Sequence, residues 1–204
     1  MKKYYSQNDE DKVISEYFND YVGTVLDIGA NDGETFSNSL KFIQDGWSAT
    51  LVEPSDKCFK KLKQLHSSNP YVEVFNVGVG ASCGTFMFHE SGEHIGNGDH
   101  SLVSTFDERE LSRWTNEKFE QIPIQVIDIA RLVELSKYGA WDYITMDIEG
   151  LEVDVLPQMD LIQCKCLCVE YNGKSDLLDF YTSIASKFGL KEFHRNNENV
   201  IYGR

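Results

Sequence analysis

Five polar residues stand where apolar runs stop: Asp27, Glu53, Asn76, Asp147 and Glu170. Each run reads as a buried strand. In an open parallel sheet, ligands bind beyond the carboxyl ends of the strands. Polar side chains gathered at that edge can hold a cofactor, align an acceptor and take up a proton. Asp147 and Glu170 are the expected catalytic acids, because they end neighbouring strands.

The first of these runs is the most specific. Val25 to Ile28 leads into Gly29-Ala30-Asn31-Asp32-Gly33, an Asp-x-Gly-x-x-x-Gly turn before an expected helix. Glycine lets the chain bend sharply and brings backbone amides close to a ligand. A nicotinamide dinucleotide usually meets Gly-x-Gly-x-x-Gly and an open helix N-terminus. Here the spacing differs, and Asp27, Asp32 and Glu34 would repel a diphosphate. A ligand with cationic groups and no phosphate fits better, and S-adenosylmethionine carries a sulfonium and an ammonium. Glu53, ending the next strand before Pro54, is placed to accept bonds from ribose hydroxyls. The expected cofactor contacts are Asp27, Gly29, Ala30, Asn31, Gly33, Glu53, Pro54, Asn76, Val77 and Asp147.

The elements that must position these residues alternate along the chain. Ser6, with Asp9 three residues on, is expected to cap a helix to about Asn19. Strands are expected at 21–28, 49–53, 72–79, 85–89, 122–127, 141–146 and 166–171. Helices are expected from Glu34 to about Asp45, after Pro54-Ser55 with Phe59, Leu62 and Leu65 inward, from Asp128, over 150–156 and over 176–188. Asn196-Asn197-Glu198-Asn199 signals a closing hairpin. The pattern predicts an α/β, Rossmann-like doubly wound fold, with a mostly parallel sheet and helices on both faces. One domain is expected over 1–204, with a helical segment at 1–22 packing near the cofactor. A variable insertion at 90–121 is expected near the acceptor, holding His94 and His100 just after His89.

The 204 residues carry a net charge of −14, which disfavours nucleic acid as the main partner. No apolar run reaches the roughly 18 residues of a membrane helix, and no secretory leader is visible. The five cysteines are an odd number without a leader, so a reducing, cytoplasmic setting is expected. Cys164, Cys166 and Cys168 alternate along one strand and read as buried apolar residues on one face. Trp47 is expected to pack beside its strand, whereas Trp114 could stack on a sugar.

The chain resembles FkbM-type methyltransferases, a branch of the class I S-adenosylmethionine-dependent enzymes. The resemblance rests on Tyr5-Ser6-Gln7 with Asp11, Leu26 to Gly33, Gly46-Trp47, Leu51 to Pro54, Ser104-Thr105-Phe106, Asp142 to Gly150 with Glu152 and Leu156, and Val169-Glu170. It implies a seven-stranded sheet with an antiparallel last strand, adds Gln7 to the cofactor contacts, and implies methyl transfer to a hydroxyl oxygen. The acceptor would be a sugar, glycan or other small molecule. Thr145 stands where members of the family often carry lysine. Asp147 with Glu170 and Asn172 also resembles the metal arrangement of catechol-type O-methyltransferases, a hard oxygen set for Mg²⁺ or Mn²⁺. A non-catalytic module on the same fold and a nicotinamide oxidoreductase are the alternatives. The oligomeric state stays open.

Overall fold

The structure is a computed structural model that describes residues 3–93, 95–96 and 99–204. His94 therefore lies outside the described residues. The strands are β1 (Thr24–Ile28), β2 (Ser48–Val52), β3 (Val72–Phe75), β4 (Gly78–Val79), β5 (Gly84–Ser91), β6 (Phe119–Ile127), β7 (Tyr143–Met146), β8 (Cys166–Glu170), β9 (Lys191–Arg195) and β10 (Asn199–Gly203). The helices are α1 (Glu10–Phe18), α2 (Leu40–Gln44), α3 (Asp56–Leu65), α4 (Ile129–Leu135), α5 (Glu152–Val155) and α6 (Ser175–Lys187).

Seven strands form one sheet in the order β3-β2-β1-β7-β8-β10-β9. β1, β2, β3, β7 and β8 pair in parallel, while β10 runs antiparallel to both β8 and β9. The mostly parallel sheet with a reversed last strand is thus present as expected. Its central strands are apolar on both faces, because each face is covered. Leu26, Ile28, Ile144 and Val169 face Leu132, Tyr181 and Ile184 on one side. Val25, Ala49, Leu51 and Tyr143 face Ile14, Phe18, Phe42 and Trp47 on the other. Among the described residues, no helix is long and apolar enough to cross a membrane.

Several expectations are corrected. No helix starts at Glu34. Asp32 Oδ1 accepts the amides of Glu34 at 3.0 Å and Thr35 at 2.8 Å, and Phe36 takes a left-handed φ of 54°. These side-chain bonds satisfy the amides in a turn, so helix formation waits until Leu40. The N-cap position of α1 is Asp9 rather than Ser6, although Ser6 Oγ accepts the first-turn amide of Asp11 at 3.1 Å. Ser6 also forms a bridge with Phe36, and its hydroxyl donates to the Asp11 carboxylate at 2.8 Å.

The run 72–79 splits into β3 and β4, and β4 joins β6 and β5 in a separate three-stranded sheet that the sequence pattern did not reveal. The expected strand ends at 89 and 122 extend to Ser91 and Phe119, so β5 and β6 form a long hairpin around residues 92–118. In α3, Cys58 and Leu62 point inward and Leu65 is exposed. Cys166 and Cys168 share one core face as expected, but Cys164 precedes β8 and packs in the other cluster.

Candidate active site

The ends of β1, β2, β7 and β8 open into one cleft of about 230 Å³. Of the expected site residues, Gln7, Asp27, Gly29, Ala30, Asn31, Glu53, Pro54, Val77, Asp147, Glu170 and Asn172 line it. Gly33 and Asn76 stand behind the wall. A Cβ on Gly33 would meet Leu62 Cδ1 at 2.6 Å, so this glycine lets α3 approach the turn. Asn76 Nδ2 donates to the carbonyls of Glu53 at 3.0 Å and Pro54 at 3.1 Å and braces the end of β2. Asp32 and Glu34 also stay off the lining. Asp32 serves its own turn, and Glu34 lies 3.6 Å from Lys3 on the surface. Of the three acids around the glycine turn, only Asp27 faces the cleft.

The side of the cleft formed by β1 and β2 is built on backbone. Gly29 and Ala30 donate their amides to the Val52 carbonyl, each at 3.0 Å, which locks the turn to β2. Gly29 has φ +93°, a conformation that favours glycine. Glu53 is buried and doubly held: its carboxylate accepts the amides of Asn31 at 2.9 Å and Ser55 at 2.7 Å. Burial pushes its carboxyl up to about 8, against the lowering effect of those bonds. Asp27 is buried too, and accepts Ser39 Oγ at 2.5 Å. Burial pushes it up to about 6. Phe88, Val103 and Phe106 supply an apolar wall on the side of the β5–β6 hairpin.

The other half is acidic. Asp147, Glu149 and Glu170 each bring a carboxylate oxygen within 4.8 Å of the others. Glu149 is not among the expected site residues; it has a left-handed φ of 51°, which no sequence pattern shows. Burial pushes Asp147 up to about 7, with Glu152 adding to the rise. Burial, then the Asp147 charge, raises Glu149 and Glu170 well above the carboxylate range. Glu152 is satisfied below them by the amides of Ile148 at 2.8 Å and Gly150 at 3.0 Å.

Arg113 is the cation on this side. Its guanidinium stacks 4.9 Å from the Trp114 ring, donates to Asn172 Oδ1 at 2.7 Å and lies 3.5 Å from Glu149. Asn172 is thus engaged by arginine, and Glu149 joins Asp147 and Glu170 as the third carboxylate of the cluster. Trp114 lines the cleft, while Trp47 is buried against Phe18 at 4.8 Å. Neither His89 nor His100 lines the cleft. His89 is buried and pairs through its backbone with Thr105, and the His100 carbonyl accepts Asn31 Nδ2 at 2.9 Å.

A parallel sheet with a reversed last strand, a glycine turn after β1 and an acid after β2 together define the methyltransferase class of Rossmann-like folds. Within that class, the chain belongs to the FkbM methyltransferase family: the model described as "Methyltransferase FkbM domain" matches residues 27–187. Solved structures agree in fold. The methyltransferase FkbM from Methylobacillus flagellatus KT superposes with a TM-score of 0.54 at 17% identity, over 90% of this chain and 44% of that one. The ribosomal protein L11 methylase from Lactobacillus delbrueckii subsp. bulgaricus gives 0.53 at 11% identity, over 96% and 77%. The chain thus spans less than half the length of the first. No curated protein matches it in sequence.

Proposed function

We propose that the chain is an S-adenosylmethionine-dependent O-methyltransferase acting on a hydroxyl of a sugar, glycan or related small polyol. One observation carries this reading: Asp147, Glu149 and Glu170 converge in the same cleft as the Gly29 turn and Glu53.

The residues present fit the cofactor. Glu53 is placed to accept bonds from two ribose hydroxyls, and Asp27 sets a carboxylate facing cationic groups. Val77 and the wall of Val103 and Phe106 offer an apolar slot for a flat base. When bound, the cofactor supplies a methyl carbon already activated by the sulfonium charge. The chain aligns the acceptor oxygen and removes its proton. With the cofactor bound, the acceptor oxygen would take the methyl group as the carbon–sulfur bond breaks and S-adenosylhomocysteine leaves, and its proton would pass to the carboxylate of Asp147 or Glu170. Trp114 offers a flat face on which a sugar ring can stack. The three carboxylates also make an all-oxygen set suited to Mg²⁺ or Mn²⁺, with Glu149 in place of the Asn172 amide.

Calorimetric titration with S-adenosylmethionine tests the cofactor half. Absence of binding at millimolar cofactor would sink the reading. Methyl-labelled cofactor offered with a panel of sugars, glycans and polyols, with and without EDTA, tests the acceptor half and the metal set together.

A further inference from the structure

The β9–β10 turn carries a residue that the strand-end pattern gave no reason to single out. Asn196 Oδ1 accepts the amides of Glu198 at 2.8 Å and Asn199 at 2.7 Å, which fixes the turn. The Tyr171 hydroxyl donates to the Asn196 carbonyl at 2.6 Å and ties the tip to the end of β8. From this fixed tip Glu198 reaches in two directions. Its carbonyl accepts the amides of Tyr171 at 2.7 Å and Asn172 at 3.0 Å, the two residues after Glu170. Its carboxylate accepts Asn8 Nδ2 at 2.8 Å and Gln7 Nε2 at 3.4 Å.

Glu10 completes the arrangement from below. It is buried, accepts the Asn8 amide at 2.9 Å, and accepts the side-chain amides of Asn196 at 2.7 Å and Asn199 at 3.0 Å. Backbone and side chain of Asn8 are therefore held by two different carboxylates. Gln7 and Glu198 both line the cleft, at the side where Glu170 and Asn172 stand.

We infer that Glu198 is a positioning residue: its carboxylate latches the Gln7–Asn8 segment across the cleft, and its carbonyl fixes the end of β8. Cofactor retention and the placing of the acid after β8 then depend on one turn. The inference rests on the cofactor reading above. Hydrogen bonds to a charged acceptor are stronger than neutral ones, so two of them can hold a polar segment that brings little apolar area of its own.

The test measures cofactor release by stopped-flow tryptophan fluorescence in the wild type, Glu198→Ala, Glu198→Gln, Asn8→Ala and the Asn8→Ala/Glu198→Ala double variant. Asn8→Ala, which loses the shorter of the two charge-assisted hydrogen bonds, is expected to release S-adenosylmethionine about tenfold faster, and Glu198→Ala, which loses both, at least as fast. Glu198→Gln keeps an acceptor oxygen and is expected to recover part of the loss. The double variant is expected to release no faster than Glu198→Ala, because the bond that Asn8→Ala removes is already lost there. A wild-type release rate in folded Glu198→Ala, or additive single effects, overturns the inference. Where Glu198→Ala does not fold, wild-type rates in both Asn8→Ala and Glu198→Gln overturn it. If the wild type binds no cofactor, the cofactor reading has failed. Amide exchange at Gln7 and Asn8 in the unliganded protein then decides the latch alone: faster exchange in the variants supports it, and unchanged exchange overturns it.

Discussion

A Cβ placed on Gly29 would stand 1.8 Å from the carbonyl oxygen of Asp147. The turn after β1 and the acid after β7 are thus in backbone contact, and the two halves of the cleft share one wall. Gly29→Ala would force these strand ends apart as well as strain a φ of +93°. We expect a loss of about 3 kcal/mol or more of stability, given a backbone clash with no flexible side chain to give way. Thermal or urea unfolding measures it, and a loss below about 1 kcal/mol would contradict the packing role.

Glu53 sets a pH dependence on cofactor binding. Its proton is held up to about 8 in the unliganded protein. Accepting two ribose hydroxyls favours the ionised form, so binding must release that proton. Affinity for S-adenosylmethionine is expected to rise with pH, by up to about tenfold per unit, and to level off above about 8. Calorimetry across pH 6 to 9 in buffers of different ionisation enthalpy reports both the slope and the proton released. Glu53→Gln should bind weakly and lose the slope.

The same group, with Asp27, sets the pH dependence of stability. Both carboxyls bind protons more tightly folded than unfolded, Asp27 up to about 6 and Glu53 up to about 8. Their contribution is therefore greatest in mild acid, below the ordinary carboxylate range, and is lost as pH rises to those values. Denaturant midpoints of the wild type should decline over that window more steeply than those of a Glu53→Gln, Asp27→Asn double variant. Equal slopes would show that the two acids titrate as they do in the unfolded chain.

Glu170→Gln removes a proton acceptor and leaves the Gly29 turn and Glu53 untouched. Turnover should fall about 100-fold or more, as for loss of a general base. Cofactor affinity should stay within about threefold of the wild type, a difference of less than 1 kcal/mol. Steady-state kinetics on the first acceptor found, paired with calorimetry, separates the two. Unchanged turnover would move the proton acceptor elsewhere in the cleft.

Trp114→Ala should raise the acceptor KM about threefold to tenfold, with kcat little changed, because the ring offers stacking area and no proton transfer. A matching fall in kcat with unchanged KM would give Trp114 a different task.

The sheet was legible because its strands announce themselves twice, as apolar runs and as polar residues that stop them. Asp27, Glu53, Asp147 and Glu170 followed from that rule alone. The missed features are ones where side chains overrule local pattern. Asp32 takes up amides that a helix would need, so α2 starts late. Val72 to Val79 reads as one strand, yet its last two residues belong to a second sheet with β5 and β6. Glu149 enters the acidic set through a left-handed backbone that no periodicity encodes. Glu198 lay within a recognised hairpin signal, but a turn signal says nothing of what the turn will touch.

Glu198 and Gln7 are separated by 191 positions, and their meeting has a consequence for order in time. Contacts so remote in the chain close late, after local pairings have formed. β1, β2 and β3 can pair while β8 and β10 are still unmade. The glycine turn therefore stands formed among β1, β2 and β3 before β10 brings Glu198 to Gln7.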